Sequence, residues 1–187
     1  MIRGNLGEIF RISFNCCQNK KMNAVLVVLC LFRFGQSPSA AAQVEPPRRI
    51  VITQHNFTLR LFKGDSLEKS YPVAVGKNAG DKERVGDCRT PVGAFYISQI
   101  QDARAWTHDF NDGKGIIKGA YGPWFLRLYT GADKTRSGKA WTGIGIHGTH
   151  APESIGTAAT EGCIRLRNSD LQDLKSRVKV GMPVIIE

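Results

Sequence analysis

From about residue 49 onward the apolar positions recur with a period of two, not 3.6, and this alternation predicts strands. The clearest run is 57–62, where Phe57, Leu59 and Leu61 alternate with Thr58 and Arg60, after a turn at His55-Asn56. The same reading predicts strands over 49–54, 71–75 (after a turn at Gly64-Asp65), 93–100, 124–129, 143–147 and 181–186. Those over 124–129 and 143–147 read as buried. One helix is expected, because Asn168-Ser169-Asp170 precedes Leu171, Leu174 and Val178 at helical spacing, with Ser169 and Gln172 placed for a capping box. Two stretches break the pattern. Residues 76–91 form a Gly- and charge-rich loop, and 101–122 read as an irregular insertion that folds over a cleft. The fold class predicted is mainly β with one or two short helices.

The front of the chain follows a different pattern. Residues 22–34 (MNAVLVVLCLFRF) are almost wholly apolar, preceded by Lys20-Lys21 and followed by the small-residue stretch 35–42. A basic segment, a short apolar run and a small-residue end make a secretory signal over 1–42, cleaved after Ala42. Met22 is an alternative start, although it discards the two lysines. The apolar run is short for a membrane span, so membrane contact is expected only through a leader left uncleaved. Residues 43–47 form a short polar, Pro-containing linker, and 48–187 form the domain. Either fate of the leader places that domain outside the cytoplasm, in the periplasm or cell envelope.

Beyond residue 42 only Cys88 and Cys163 remain, too few for a fold held by disulfides, although the two thiols could pair. The same part carries 21 Lys and Arg against 15 Asp and Glu, a net charge of +6. This moderate excess suits an anionic polymer such as a cell wall. With no basic block and no recognised motif, it argues against nucleic acid.

The chemistry concentrates in 147–165. A strand ending in Ile144-Gly145-Ile146 delivers His147 at its tip, and Gly148 lets the backbone turn sharply there. Cys163 follows sixteen residues later. A thiol attacks as its thiolate, so Cys163 needs a base, and His147 can serve if its second nitrogen is held, for example by the Gly148 carbonyl. The backbone N–H groups of Glu161, Gly162 and Cys163 are candidates for an oxyanion site, and Arg165 lies on the same strand face as Cys163. Competing readings exist for each residue. Cys163 is a structural cysteine in one, and His147, His150 and Cys163 are metal ligands lacking a fourth group in another. His55 and His108 read as surface groups and Cys88 as a bystander. Trp106, Trp124 and Trp141 line a groove or pack, with packing favoured for Trp124 within its strand.

The wider pattern is more specific. His147-Gly148-Thr149, Ile155-Gly156 and Thr160-Glu161-Gly162-Cys163-Ile164-Arg165-Leu166 together resemble the signature of bacterial L,D-transpeptidase catalytic domains, also called YkuD domains. The resemblance extends upstream to Tyr71-Pro72-Val73-Ala74-Val75-Gly76-Lys77 and Thr90-Pro91-Val92-Gly93-Ala94-Phe95, covering about 49–187. It implies a β-sandwich or barrel with the catalytic Cys on a strand-proximal loop, and a monomer acting on peptidoglycan peptide stems without metal or organic cofactor. Cys163 would be acylated by a tetrapeptide stem with loss of D-Ala, and a second stem's amine would resolve the thioester to a 3-3 cross-link. His147 would be the base with Gly148 beside it, and Glu161, Gly162, Arg165, Thr149 and Trp124 the oxyanion or substrate contacts. The same thioester resolved by water would make a carboxypeptidase or hydrolase; a non-catalytic wall-binding module is the alternative from another class. One position departs from the commonest motif: Glu161 stands where many members carry His. A carboxylate there raises the thiol pKa unless it pairs with a cation, for which Arg165 and His150 are the candidates.

Overall fold

The computed structural model describes residues 45–110, 113 and 115–187. The expected leader 1–42 lies outside the described residues. Twelve strands and one α-helix follow in the order β1 (Arg48–Thr53), β2 (Thr58–Lys63), β3 (Ser66–Pro72), β4 (Val75–Gly76), β5 (Gly93–Asp102), β6 (Thr107–Asp109), β7 (Ile116–Lys118), β8 (Trp124–Tyr129), β9 (Gly145–His147), β10 (Ala158–Thr160), β11 (Ile164–Arg165), α1 (Asn168–Arg177) and β12 (Pro183–Ile186).

Eight strands form one sheet in the order β11-β9-β8-β5-β12-β1-β2-β3. The alternating sequence decides its inner face. Ile50 and Ile52 of β1 pair with Leu61 and Leu59 of β2, and all four are fully buried. Val184 and Ile186 of β12 turn to the same core, while Pro183 and Ile185 face outward. The two ends of the sheet then meet. Ala74, two residues beyond β3, exchanges backbone hydrogen bonds of 2.8 and 2.9 Å with Arg165 in β11, the strand at the other end of the order. The sheet therefore curls back on itself. A small parallel pair, β4 with β10, sits at this seam.

Helix α1 covers the core with Leu171 and Leu174, both fully buried. Its outer side is tied down by Tyr71, whose hydroxyl donates to Asp173 at 2.7 Å, and by Arg177, which bridges Asp173 and Glu68. The helix begins at Asn168, and the expected capping box does not form: no side chain caps the first turn. Gln172 accepts a hydrogen bond from the Trp124 indole instead, and Asn168 is engaged with the loop after β9. The strand expected over 71–75 also differs. β3 starts earlier, at Ser66, because its edge position leaves most of its side chains exposed and so removes the apolar signal. It stops at Pro72, which has no N–H for a ladder.

Candidate active site

The parallel pairing of β11 with β9 sets Arg165 opposite His147 and Ile164 opposite Ile146. By strand alternation, His147, Cys163 and Arg165 then present their side chains on one face. All three line a single cavity of about 930 Å³.

His147 is 3% exposed and held on several sides. Its Nδ1 lies 2.6 Å from the Gly148 carbonyl oxygen. A carbonyl can only accept, so Nδ1 carries the proton and Nε2 is left as the acceptor. Phe125 stacks on the imidazole at 5.5 Å with rings 6° from parallel, and Tyr121 meets it edge-on at 5.0 Å. Burial pushes its pKa down to about 3, so the ring is neutral at ordinary pH.

Cys163 is half-buried, immediately before β11. Its thiol donates to the Gly143 carbonyl at 3.3 Å, and no hydrogen bond joins it to the imidazole among the described residues. Burial pushes the thiol up to about 11; a Gly145 backbone hydrogen bond and the Arg165 charge act the other way, while Glu161 adds to the rise. The resting pair is thus a neutral thiol and a neutral imidazole.

Glycines let the backbones approach. A Cβ on Gly148 would lie 2.2 Å from Asn168 Oδ1 and 3.0 Å from the Gly122 Cα. Asn168 clasps this crossing, accepting from the Thr149 N–H at 2.8 Å and donating to the Thr149 carbonyl at 3.0 Å. Gly162 has φ 129°, and a Cβ there would meet the Arg89 carbonyl at 2.7 Å. The 76–91 loop therefore packs directly against the turn that carries Cys163. Asp87 organises that loop: burial opposes its charge, but hydrogen bonds from Lys82 and from the N–H groups of Glu83, Arg84 and Arg89 hold its carboxyl well below the usual range. Lys82, also buried, lines the cavity with its ammonium 5.4 Å from the Trp141 ring.

The 101–122 insertion contains the β6–β7 hairpin and brings Trp106, Phe110 and Tyr121 to the cavity. Its His108 lies with Nε2 3.2 Å from Glu161 Oε2. The partner of Glu161 is therefore His108, not Arg165 or His150. His150 instead has Nδ1 3.3 Å from the Ala120 carbonyl.

Independent comparison identifies the domain. The family model described as YkuD, L,D-transpeptidase catalytic domain, matches residues 47–186. The chain belongs to this family. The YkuD proteins of Bacillus licheniformis and Bacillus subtilis, each named as a candidate L,D-transpeptidase, are 36% and 34% identical to it over 140 residues. In both cases the match covers 75% of this chain and 66% of the relative, a little under two thirds of the relative's length. Among solved structures, the catalytic domain of an Enterococcus faecium L,D-transpeptidase aligns with a TM-score of 0.52 at 18% identity, over 74% of this chain and 95% of that one. L,D-transpeptidase 3 of Mycobacterium tuberculosis aligns with a TM-score of 0.53 at 18% identity, over 76% and 61% respectively. At these identities the likeness is one of fold.

Several expectations change within the YkuD domain. Trp124 does not line the cavity; its indole bonds to Gln172 and stacks under Lys175, while its neighbour Phe125, on the opposite face of β8, reaches the imidazole. Thr149 is buried in the loop and its hydroxyl accepts from the Ala151 N–H, so it braces the turn and does not face the cavity. Of the three N–H groups expected to converge, that of Gly162 is already donated to Thr160 Oγ1 at 3.1 Å. Arg165 is buried, with Nη1 donating to Ser154 and Nε without a partner among the described residues. Cys88 is no remote bystander: it lines the same cavity, its thiol is free, and its φ of 53° reflects the tight loop. His55 is exposed, but His108 belongs to the site. Sequence reasoning also passed over Tyr121, Phe110 and Arg127, which line the cavity from segments distant in the chain. Only their aromatic or cationic character near a proposed lid could have drawn notice.

Proposed function

We propose that the protein is a peptidoglycan L,D-transpeptidase, a cysteine acyltransferase exported by residues 1–42 and acting in the periplasm or cell envelope through the domain 48–187. The observation that carries this reading is the shared face of β9 and β11: a neutral imidazole with a free Nε2 and an unbridged thiol open onto one cavity beside a buried arginine.

The resting neutral pair suits a step in which proton transfer accompanies attack. A tetrapeptide stem enters, the thiol leaves the Gly143 carbonyl, and His147 Nε2 takes its proton as sulfur attacks the carbonyl of the third stem residue. The Cys163 and Glu161 N–H groups are the oxyanion donors left once Gly162 is committed to Thr160. Arg127 and Arg165 give the cavity a cationic wall suited to the stem's carboxylates. Collapse of the tetrahedral intermediate expels D-Ala, which takes the proton from His147, and a second stem's amine then opens the thioester to form a 3-3 cross-link.

The test uses purified tetrapeptide stems and mass spectrometry of the products. Wild type is expected to yield cross-linked dimers and free D-Ala, and to form a covalent adduct with a carbapenem. Cys163→Ala should lose all three, and full activity in that variant would sink the enzyme reading. Tripeptides without dimers would assign the same thioester to hydrolysis.

A further inference from the structure

Resting on that reading, we propose that Glu161, held by His108 of the β6–β7 hairpin, binds the acceptor's ammonium group and takes its proton in the second half-reaction. Three observations lead there. First, among the described residues that line the cavity Glu161 is the single carboxylate, in the company of the guanidinium groups of Arg127 and Arg165. A donor stem brings carboxylates and matches the cations; an acceptor brings an ammonium, and Glu161 is the group of opposite sign that can receive it. Second, Glu161 sits two residues before the nucleophile and its charge works against thiolate formation. It opposes the first half-reaction, so its position at the cavity fits a task in the second. Third, the carboxylate is held in place. His108 Nε2 lies 3.2 Å from Oε2, which requires Nε2–H as donor, and the His108 ring is itself wedged against Phe110 at 4.4 Å and Tyr121 at 5.6 Å. With Oε2 engaged by His108, Oε1 is the carboxylate oxygen assigned to the acceptor.

The acceptor's ammonium gives one proton to Glu161 Oε1, and the freed lone pair forms the C–N bond to the thioester carbonyl carbon. The carbonyl electrons move onto oxygen and return as the C–S bond breaks, with sulfur keeping the bonding pair. A second proton passes from nitrogen through His147 to the departing sulfur, leaving an amide, a thiol and a protonated Glu161 that releases its proton to water. Glu161 touches the acceptor; His108 is a positioning residue that acts through it.

The experiment follows both half-reactions with the tetrapeptide donor and Nα-acetyl-lysine as acceptor, comparing wild type, Glu161→Gln and His108→Gln. D-Ala release before acceptor addition reports acylation, and the ratio of cross-linked product to tripeptide reports acceptor use. Glu161→Gln is expected to raise the acylation rate about twofold, since a charge unfavourable to the thiolate is gone, and to lower the aminolysis-to-hydrolysis ratio about tenfold. The two changes have opposite sign, which general damage to the fold cannot produce. His108→Gln should lower the ratio less than Glu161→Gln does and raise the KM for the amine. Hydroxylamine, uncharged at neutral pH, should resolve the thioester with little dependence on Glu161. An unchanged ratio in a Glu161→Gln variant that still acylates overturns the acceptor assignment, as does a parallel loss of both half-reactions. A wild type that never releases D-Ala overturns the transpeptidase reading itself, and the acceptor assignment with it.

Discussion

His147 and Cys163 line one cavity as two neutral groups, and burial is the cause for both. For His147 the consequence reaches stability. Its folded pKa of about 3 lies below the unfolded value of about 6.5, so between those limits the unfolded chain binds the extra proton. Stability is therefore full above about pH 6.5 and declines as pH falls toward 3. Asp87 and Asp173, whose folded pKa values are depressed, contribute stability that is present above about pH 4 and is lost only as pH falls below it. Thermal melting between pH 7 and 4.5 should thus show a falling Tm in wild type and a flatter profile in His147→Gln; identical slopes would contradict a buried neutral imidazole. For Cys163, alkylation by iodoacetamide should be slow at pH 7 and keep rising through pH 9 toward about 11, whereas a plateau below pH 8 would mean the thiolate is stabilised at rest.

At the scale of elements, the site depends on how closely three backbones approach. β9 ends where Gly148 and Gly122 touch, and Asn168 at the start of α1 ties that crossing through the Thr149 backbone. Asn168→Ala leaves a buried N–H and C=O without partners, an expected loss of about 2 kcal/mol measurable by chemical denaturation. Gly148→Ala forces a methyl against Asn168 Oδ1 and should cost about 1 to 3 kcal/mol. Because the first obstacle to that methyl is the Asn168 side chain, the double variant should be less destabilised than the sum of the singles. Strict additivity would show that the remaining contacts, with Gly122 and Pro123, carry the penalty. Most of these elements were legible. β1 and β2, strands with one buried face, and the buried β8 fall within one residue of expectation, because burial imposes an apolar pattern on each. β3 and the β6–β7 hairpin were not, since edge and lid strands keep much of their surface wet and need no alternation.

For the whole molecule, the strand over 183–186 is a central one. β12 pairs in parallel with β1 and antiparallel with β5, so residues 183–186 complete the middle of the sheet. The sheet is therefore continuous only once β12 joins β1 and β5, strands far from it in sequence, an arrangement of long-range contacts that folds slowly. Truncation after Gly181 removes Val184 and Ile186 from the core and splits the sheet between β5 and β1. The truncated chain is expected to lose its β signal in circular dichroism and its slow-exchanging amides; a native spectrum would show that β12 is dispensable. The curl of the sheet has a second effect, because the bridge from Ala74 to Arg165 brings the 76–91 loop onto the turn that carries Cys163.

The sequence by itself determined the strand-rich class, the order of the main strands, and the pairing of an imidazole with a thiol inside a spaced motif that resembles one family. These are written locally: a period of two, a glycine after the histidine, a Gly-Cys turn. Only the tertiary structure decided what each group faces. It gave Glu161 to His108, turned Trp124 away and Phe125 toward the imidazole, placed Lys82 and Cys88 at the cavity, and left the Arg165 Nε unpaired. The reason is physical: charge pairing, desolvation and ring packing depend on which distant segments the curled sheet brings together, and separation along the chain carries no information about that.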